Sequence, residues 1–304
     1  MSSCDMSVVI AGVRMKNPVM TASGTFGSGM EYSEFVDLNR LGAVVTKGVS
    51  NVPWEGNPTP RVAETPSGML NAIGLQNPGI DVFIERDLAF LQDYDTKVIV
   101  NVCGHTQEEY LEVVRRLADE PRPDLLEINV SCPNVKQGAI AFGTDPDSLY
   151  RITSRIRAIA RQPVIMKLTP NVTSIAEAAR AAEAGGADAI SLINTITGMK
   201  IDVERRRFVL ANKTGGLSGP AIHPVAVRMV YEAARAVSIP VIGMGGVQDA
   251  DDAIELLLAG ASAVAVGAAN FYDPMTTIKV IDGMEDYAVR HGLSSITELI
   301  GAVQ

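Results

Sequence analysis

Short apolar runs alternate along this chain with stretches whose apolar residues recur every three or four positions. The short runs are residues 19–22, 43–47, 98–102, 125–130, 164–168, 189–194, 241–244 and 263–266. They are rich in Val, Ile, Leu and Ala and lack strict alternation, the pattern of strands buried on both faces. Helical spacing fills 107–118, 147–160, 174–184, 224–236 and 250–259. Ser174 with Glu177 three positions on predicts a capping box, and Gly185-Gly186 and Gly260 predict helix ends. Eight strands alternating with helices predict an α/β fold, a (β/α)8 TIM barrel. A doubly wound open sheet is the competing architecture. The strand count and the lack of a G-x-G-x-x-G turn after the first strand favour the barrel. Residues 7–17 read as a short N-terminal hairpin, and no linker divides the chain, so 1–304 is expected to be a single domain.

Three connections are too long to be plain turns: 50–80, 133–144 and 196–216. All three leave the carboxyl ends of predicted strands, so all three are expected on one face of the barrel, where loops carry function. The 133–144 connection holds Gly138 and Gly143 as hinge candidates for a lid.

Composition narrows the function classes. Of the 304 residues 47% are hydrophobic and only 5% aromatic, which suits a parallel sheet packed by aliphatic side chains. The formal charge is −9 with no basic run, which argues against nucleic acid as a partner. The first residues carry Asp5 and no apolar core, and no apolar run is long enough for a membrane span, so a soluble cytoplasmic protein is expected. Three scattered cysteines (Cys4, Cys103, Cys132) and three histidines supply neither a disulfide framework nor a zinc site, and no metal is expected.

The polar residues fall where the strands end. Strand 1 ends in Thr21-Ala22-Ser23-Gly24 and strand 2 in Thr46-Lys47-Gly48. Asn101, Asn129, Lys167 and Asn194-Thr195 stand on strands 3 to 6 or at their ends, and Gly245-Gly246 and Gly267-Ala268 follow strands 7 and 8. A Lys or Asn in an apolar strand costs several kcal/mol unless paired. Two lysines and three asparagines at equivalent positions therefore argue for a ligand that pairs them. The two glycine turns precede predicted helices, where bare amides suit a phosphate, although Asp249 also reads as a plain helix cap. Phosphate plus many amide partners suggests flavin mononucleotide, with Lys167 lending positive charge to the reduced ring. A Schiff base is the rival use of Lys47 or Lys167. In Asn129-Val130-Ser131-Cys132-Pro133-Asn134 the proline ends the strand, presenting a thiol and two carboxamides together.

Those residues, with Thr21-Ala22-Ser23-Gly24-Thr25-Phe26-Gly27, Thr46-Lys47-Gly48, Asn71-Ala72-Ile73-Gly74-Leu75-Gln76-Asn77, Gly215-Gly216-Leu217-Ser218-Gly219-Pro220 and Gly243 to Gly246, carry a resemblance over essentially the whole chain. The chain resembles the catalytic subunit of dihydroorotate dehydrogenase, an FMN enzyme of pyrimidine biosynthesis. Asn134 to Gly138 and the 199–220 loop look like the NAD-linked subtype (class 1B) more than the fumarate-linked one, and a cysteine base argues against the quinone-linked class. The resemblance implies that Cys132 removes the C5 proton of dihydroorotate while a hydride leaves C6 for the flavin. It implies that Lys47, Asn71, Ala72, Ile73, Gly74, Leu75, Asn129, Asn134, Asn194 and Thr195 hold the substrate. It implies that Ala22, Ser23, Gly24, Lys47, Gly48, Asn101, Asn129, Lys167, Ile193 and Gly219 hold FMN, and Gly245, Gly246, Gly267 and Ala268 its phosphate. Ala268 departs from the threonine the resemblance leads one to expect.

A [2Fe–2S] cluster needs four ligands, more than the cysteines present. Transfer of electrons to NAD therefore implies an electron-transfer subunit carrying FAD and [2Fe-2S], and the resemblance implies a heterotetramer of two such chains with two catalytic ones. Three other readings remain: an FMN barrel dehydrogenase of the fumarate-linked subtype, a related flavin barrel acting on another dihydropyrimidine, and a cofactor-free barrel binding a sugar phosphate.

Overall fold

Eight parallel strands close on themselves in sequence order. They are β1 (Val19–Thr21), β2 (Ala43–Val45), β3 (Lys97–Val102), β4 (Leu125–Asn129), β5 (Val164–Lys167), β6 (Ala189–Leu192), β7 (Val241–Met244) and β8 (Ala263–Val266). The computed structural model describes residues 4–131 and 142–304. Every residue of these strands except Lys97 is buried. One face fills the barrel and the other lies under helices, which is why the strands read as apolar runs without alternation. The strands end up to two residues earlier than their apolar runs, because Ala22, Lys47 and Asn194 already belong to the loops.

Helices α1 (Gln107–Ala118), α2 (Pro146–Arg157), α3 (Ile175–Ala184), α4 (His223–Ala234), α5 (Ala250–Leu258) and α6 (Thr276–Arg290) follow strands β3 to β8 in turn. Their starts are set by local chemistry. Thr106, Asp145, Ser174 and Asp249 each accept a backbone N–H of the first turn, and Pro146 opens α2. Ser174 makes half of the predicted box: its hydroxyl accepts from Glu177 N at 3.3 Å, and no return bond from the Glu177 carboxylate forms among the described residues. β1 is followed by two 3-10 turns, Tyr32–Glu34 and Leu38–Arg40, in place of a helix. β2 leads to a helical run in which a π turn, Phe83–Leu88, lies between Ile80–Val82 and Ala89–Leu91. The glycine turn after β8 opens only the short 3-10 turn Ala268–Phe271, not the helix expected there.

The connections after β2 and β6 are not simple loops. Val62–Thr65, Gly68–Asn71, Thr214–Ser218 and Ile196–Met199 join in one antiparallel four-stranded sheet. Ala63, Leu70, Ala72 and Leu210 give it a small core of its own. The N-terminal hairpin pairs Val8–Ile10 with Val13–Met15 through Ala11 and Gly12, both at positive φ. It buries Val8, Ile10 and Met15 in the main core. The predicted lid falls mostly outside the described residues. Among those residues, no helix is long and apolar enough to cross a membrane.

Candidate active site

The register of the barrel decides which side chains meet. Asn101 pairs with Glu127 across β3 and β4, and Asn129 pairs with Lys167 and Lys167 with Ser191 across β4, β5 and β6. Residues two apart on a strand share a face, so Glu127 and Asn129 point the same way, one level apart. Glu127 is 1% exposed. One of its carboxylate oxygens accepts Asn101 Nδ2 at 2.6 Å and the other accepts Ser191 Oγ at 2.7 Å. Lys167 Nζ lies 3.8 Å from the first oxygen and donates to Ser23 Oγ at 3.0 Å. A buried carboxylate is tolerable only when paired and hydrogen-bonded, and this one is both.

The network fixes what the floor of the site offers. Asn101 Nδ2 is committed to Glu127, which leaves Oδ1 buried and without a partner among the described residues. That oxygen faces Gly48, where an added Cβ would stand 3.0 Å from it. The site therefore offers an acceptor to an N–H donor there, a demand that the ring amide of a flavin or a dihydropyrimidine meets.

Above this floor opens a cavity of about 350 Å³, within the usual range for a small-molecule site. Ala22, Ser23, Gly24, Lys47, Gly48, Asn101, Asn129, Lys167, Ile193, Asn194 and Thr195 line it. So do Asn71, Ala72, Ile73, Gly74 and Leu75, and Gly219, Gly245, Gly246, Gly267 and Ala268. Cys132 and Asn134 lie outside the described residues. Ser131, next to Cys132 in sequence, lines the cavity and is tied down by its hydroxyl, which donates to Lys167 O at 3.0 Å. Tyr110 Oη donates to Asn129 O at 2.7 Å.

The two extra-barrel segments supply the roof. Asn57 donates from its amide to Ala72 O at 3.0 Å and from its backbone to Ile73 O at 2.9 Å, and Asn77 Nδ2 donates to Leu75 O at 2.7 Å. These bonds hold the 71–75 segment over the mouth, with Gly74 and Leu75 both at positive φ. Opposite it, Asn171 Nδ2 donates to Thr195 O at 3.1 Å. Gly216 has no room for a side chain, since a Cβ would stand 2.0 Å from Thr195 Oγ1.

Lys47 contrasts with Lys167. No hydrogen bond or ion pair holds its ammonium among the described residues. Burial pushes its pKa below the usual lysine value; Cys103 opposes the shift and Arg61 adds to it. A cation held without a counter-charge in a cavity wall is a receptor for an anion. At the far end, no acceptor within the described residues faces the amide N–H of Gly246 or Gly267. These donors fit a phosphate, and with Asn101 Oδ1 as an acceptor and Lys167 as a cation the set of partners fits FMN.

The family profile for dihydroorotate dehydrogenase matches residues 5–287. The chain belongs to this family. A protein of Lachnoclostridium phytofermentans named dihydroorotate dehydrogenase B (NAD(+)), catalytic subunit, is 66% identical over 298 residues, which cover 98% of this chain and 99% of the relative. Proteins of the same name from Alkaliphilus metalliredigens and Geotalea uraniireducens are 59% and 56% identical over 303 residues each, covering 100% of this chain in both cases and 100% and 99% of the relatives.

Sequence reading missed Glu127 and Ser191, which sit behind the lining, and Asn171, Thr197, Asn212 and Ser218, which line it. A charged residue within the apolar run 125–130 was the signal for Glu127. Ser191 belongs to barrel strand β6 and Asn171 to the loop after β5, while Thr197, Asn212 and Ser218 come from a segment whose approach to the mouth depends on the extra sheet.

Two substitutions should move stability in opposite directions. Glu127→Ala strands Asn101 Nδ2 and Ser191 Oγ and leaves Lys167 without its buried counter-charge. It should cost about 3–5 kcal/mol in urea unfolding, and a midpoint equal to that of the parent protein contradicts the pairing. Lys47 has a depressed folded pKa, so the unfolded chain holds its proton more tightly. Its cost to stability is full below the folded pKa and is relieved as pH rises towards 10.5. Flavin-free Lys47→Met should therefore melt above the parent protein at neutral pH, with the gap closing as the solution is made alkaline. A lower melting point for the variant contradicts the reading.

Proposed function

We propose that this chain oxidises (S)-dihydroorotate to orotate in de novo pyrimidine synthesis and that its electrons reach NAD⁺ through a second subunit. The observation that carries the reading is the convergence on one cavity of several carboxamides with a lysine and glycine amides that have no partner among the described residues, in a chain of the dihydroorotate dehydrogenase family. FMN, when bound, supplies the hydride acceptor for the substrate's C6. It is held by Ala22, Ser23, Gly24, Gly48, Asn101, Lys167, Ile193 and Gly219, with its phosphate on Gly245, Gly246, Gly267 and Ala268. Ala268 offers only its backbone to that phosphate, since its methyl group has no hydroxyl to donate.

The chain's own residues do the rest. Lys47 holds the substrate carboxylate, which is the group that separates dihydroorotate from uncharged dihydropyrimidines. Asn71, Asn129, Asn134 and Asn194 pair the ring amides, and Ala72 to Leu75 with Thr195 close over them. Cys132 takes the C5 proton. A free thiol has a pKa of about 8.5, so it works as a base at neutral pH only where its surroundings favour thiolate and exclude water. The 133–144 connection, expected as the lid that would exclude water, lies mostly outside the described residues.

In this reading 1–304 is a single cytoplasmic domain. The electron-transfer subunit carries FAD and [2Fe-2S], and two of each chain form a heterotetramer. The relatives' designation as catalytic subunits supports the need for a partner. Cysteine count supports placing the cluster elsewhere, because three cysteines fall short of four ligands.

Anaerobic addition of dihydroorotate should bleach the flavin of the purified chain with or without the partner, while NAD⁺ should be reduced only with it. NAD⁺ reduction by the lone chain contradicts the two-subunit scheme. Cys132→Ser should keep its flavin but lose most turnover at neutral pH, since a serine hydroxyl is far less acidic than a thiol. Near-normal turnover in that variant removes Cys132 from the base role.

A further inference from the structure

His223 begins α4 and is 7% exposed, yet it does not itself line the cavity. Its two ring nitrogens reach different elements. Nδ1 lies 2.8 Å from Gly245 O, in the loop after β7. Nε2 lies 3.1 Å from Glu255 Oε2 and 3.5 Å from Asp252 Oδ1, both on α5. A carbonyl oxygen only accepts, so Nδ1 carries a proton and donates to it.

The consequence lies on the other side of the Gly245-Gly246 peptide. That bond is trans, since the cis bonds of the described chain lie elsewhere. In a trans peptide the C=O and the following N–H point in opposite directions. With Gly245 O drawn back to His223, the N–H of Gly246 is turned away from the histidine. No protein acceptor meets that N–H among the described residues, and Gly246 lines the cavity. The backbone at Gly246 packs directly against the histidine and leaves no room for a side chain. A Cβ on Gly246, at φ +76°, would stand 2.7 Å from His223 Cβ and 2.9 Å from Gly219 O.

We infer that His223 is a positioning residue that sets the Gly246 amide towards a phosphate monoester, so that this chain prefers a phosphorylated flavin to its dephosphorylated form. The inference rests on the proposed FMN site and deepens it. His223 acts through orientation rather than through charge: two carboxylates, of Asp252 and Glu255, flank the ring, and such surroundings do not themselves attract a phosphate. The ring also locks three elements together, because the strand-β7 loop, the start of α4 and the first turns of α5 meet on it. Asp252 is itself fixed, as its other carboxylate oxygen accepts Gln248 N at 2.8 Å. The same three side chains bring ligand-type atoms within 4.8 Å of one another, so a bound cation is the alternative that the experiment must separate.

Equilibrium dialysis of the full chain against FMN and against riboflavin tests the inference. In asparagine the amide nitrogen sits near the place of Nδ1, and in glutamine near that of Nε2. His223→Asn therefore keeps the bond to Gly245 O, whereas His223→Gln keeps a group for the carboxylates and loses that bond. The parent protein should bind FMN more tightly than riboflavin. His223→Gln should lose roughly tenfold in FMN affinity, the worth of one hydrogen bond serving a charged ligand, with riboflavin changed less than about twofold. His223→Asn should retain the preference, and His223→Ala, where it folds, should behave as the glutamine variant does. Equal losses for both flavins in His223→Gln reduce His223 to a structural part, and an unchanged preference in that variant removes it from the phosphate site. A preference that disappears from the parent protein on treatment with EDTA transfers the role to a metal ion. A parent protein that binds riboflavin as tightly as FMN sinks the phosphate reading itself, an outcome distinct from any failure of His223 alone.

Discussion

A single buried carboxylate governs the mouth of this barrel. Glu127 stands inside an otherwise apolar strand and is neutralised from three directions, by the Asn101 amide, the Ser191 hydroxyl and the Lys167 ammonium. An ion in that position is costly unless each of its partners stays in place. The strand register is therefore tied to the chemistry. A slip of one residue between β3 and β4 would turn Glu127 onto the helix-covered face and break all three contacts at once. The same pairings decide that Asn101 presents an acceptor and that Lys167 points towards Ser23.

The second constraint comes from outside the barrel. A closed barrel of eight short strands presents only strand ends, and strand ends alone make a shallow site. Here the connections after β2 and β6 leave the barrel, pair with each other across Gly216 and Asn71, and bring the 71–75 segment over the opening. Depth is obtained by strand pairing between two loops rather than by one long flexible excursion. Glycines at the close approaches, such as Gly216 against Thr195, let the roof descend onto the rim.

Most of the barrel was legible because its strands are buried on both faces and so stand out as apolar runs. The eight runs correspond to the eight strands, with differences at the ends where Lys47 and Asn194 leave the sheet. The polar strand ends were legible for the same reason, since a Lys or Asn is conspicuous in such a run. What could not be read depended on contacts distant in sequence. The sheet formed by 62–71 and 196–218 was invisible because its strands are short and its central pairing joins segments far apart in the chain. His223 looked like an ordinary residue at a helix start. Its meaning comes from Gly245 and Glu255, 22 and 32 positions away. The stretch between β1 and β2 has glycines and no sustained helical spacing, and it holds two 3-10 turns where the repeat would place a helix. The cis peptide joining Leu192 to Ile193 left no sign in the sequence.

The central claim is that the cavity is organised in advance for an anionic ring amide lying against a flavin, with the charge of Lys47, unpaired among the described residues, as the selecting element. Parallel anaerobic titrations of the flavin-loaded chain with dihydroorotate and with dihydrouracil test it most directly. The two substrates share the ring amides and differ in the carboxylate. The account predicts that dihydroorotate removes the absorbance of the oxidised flavin while dihydrouracil leaves it unchanged. Equal bleaching by both, or bleaching by dihydrouracil alone, would contradict it.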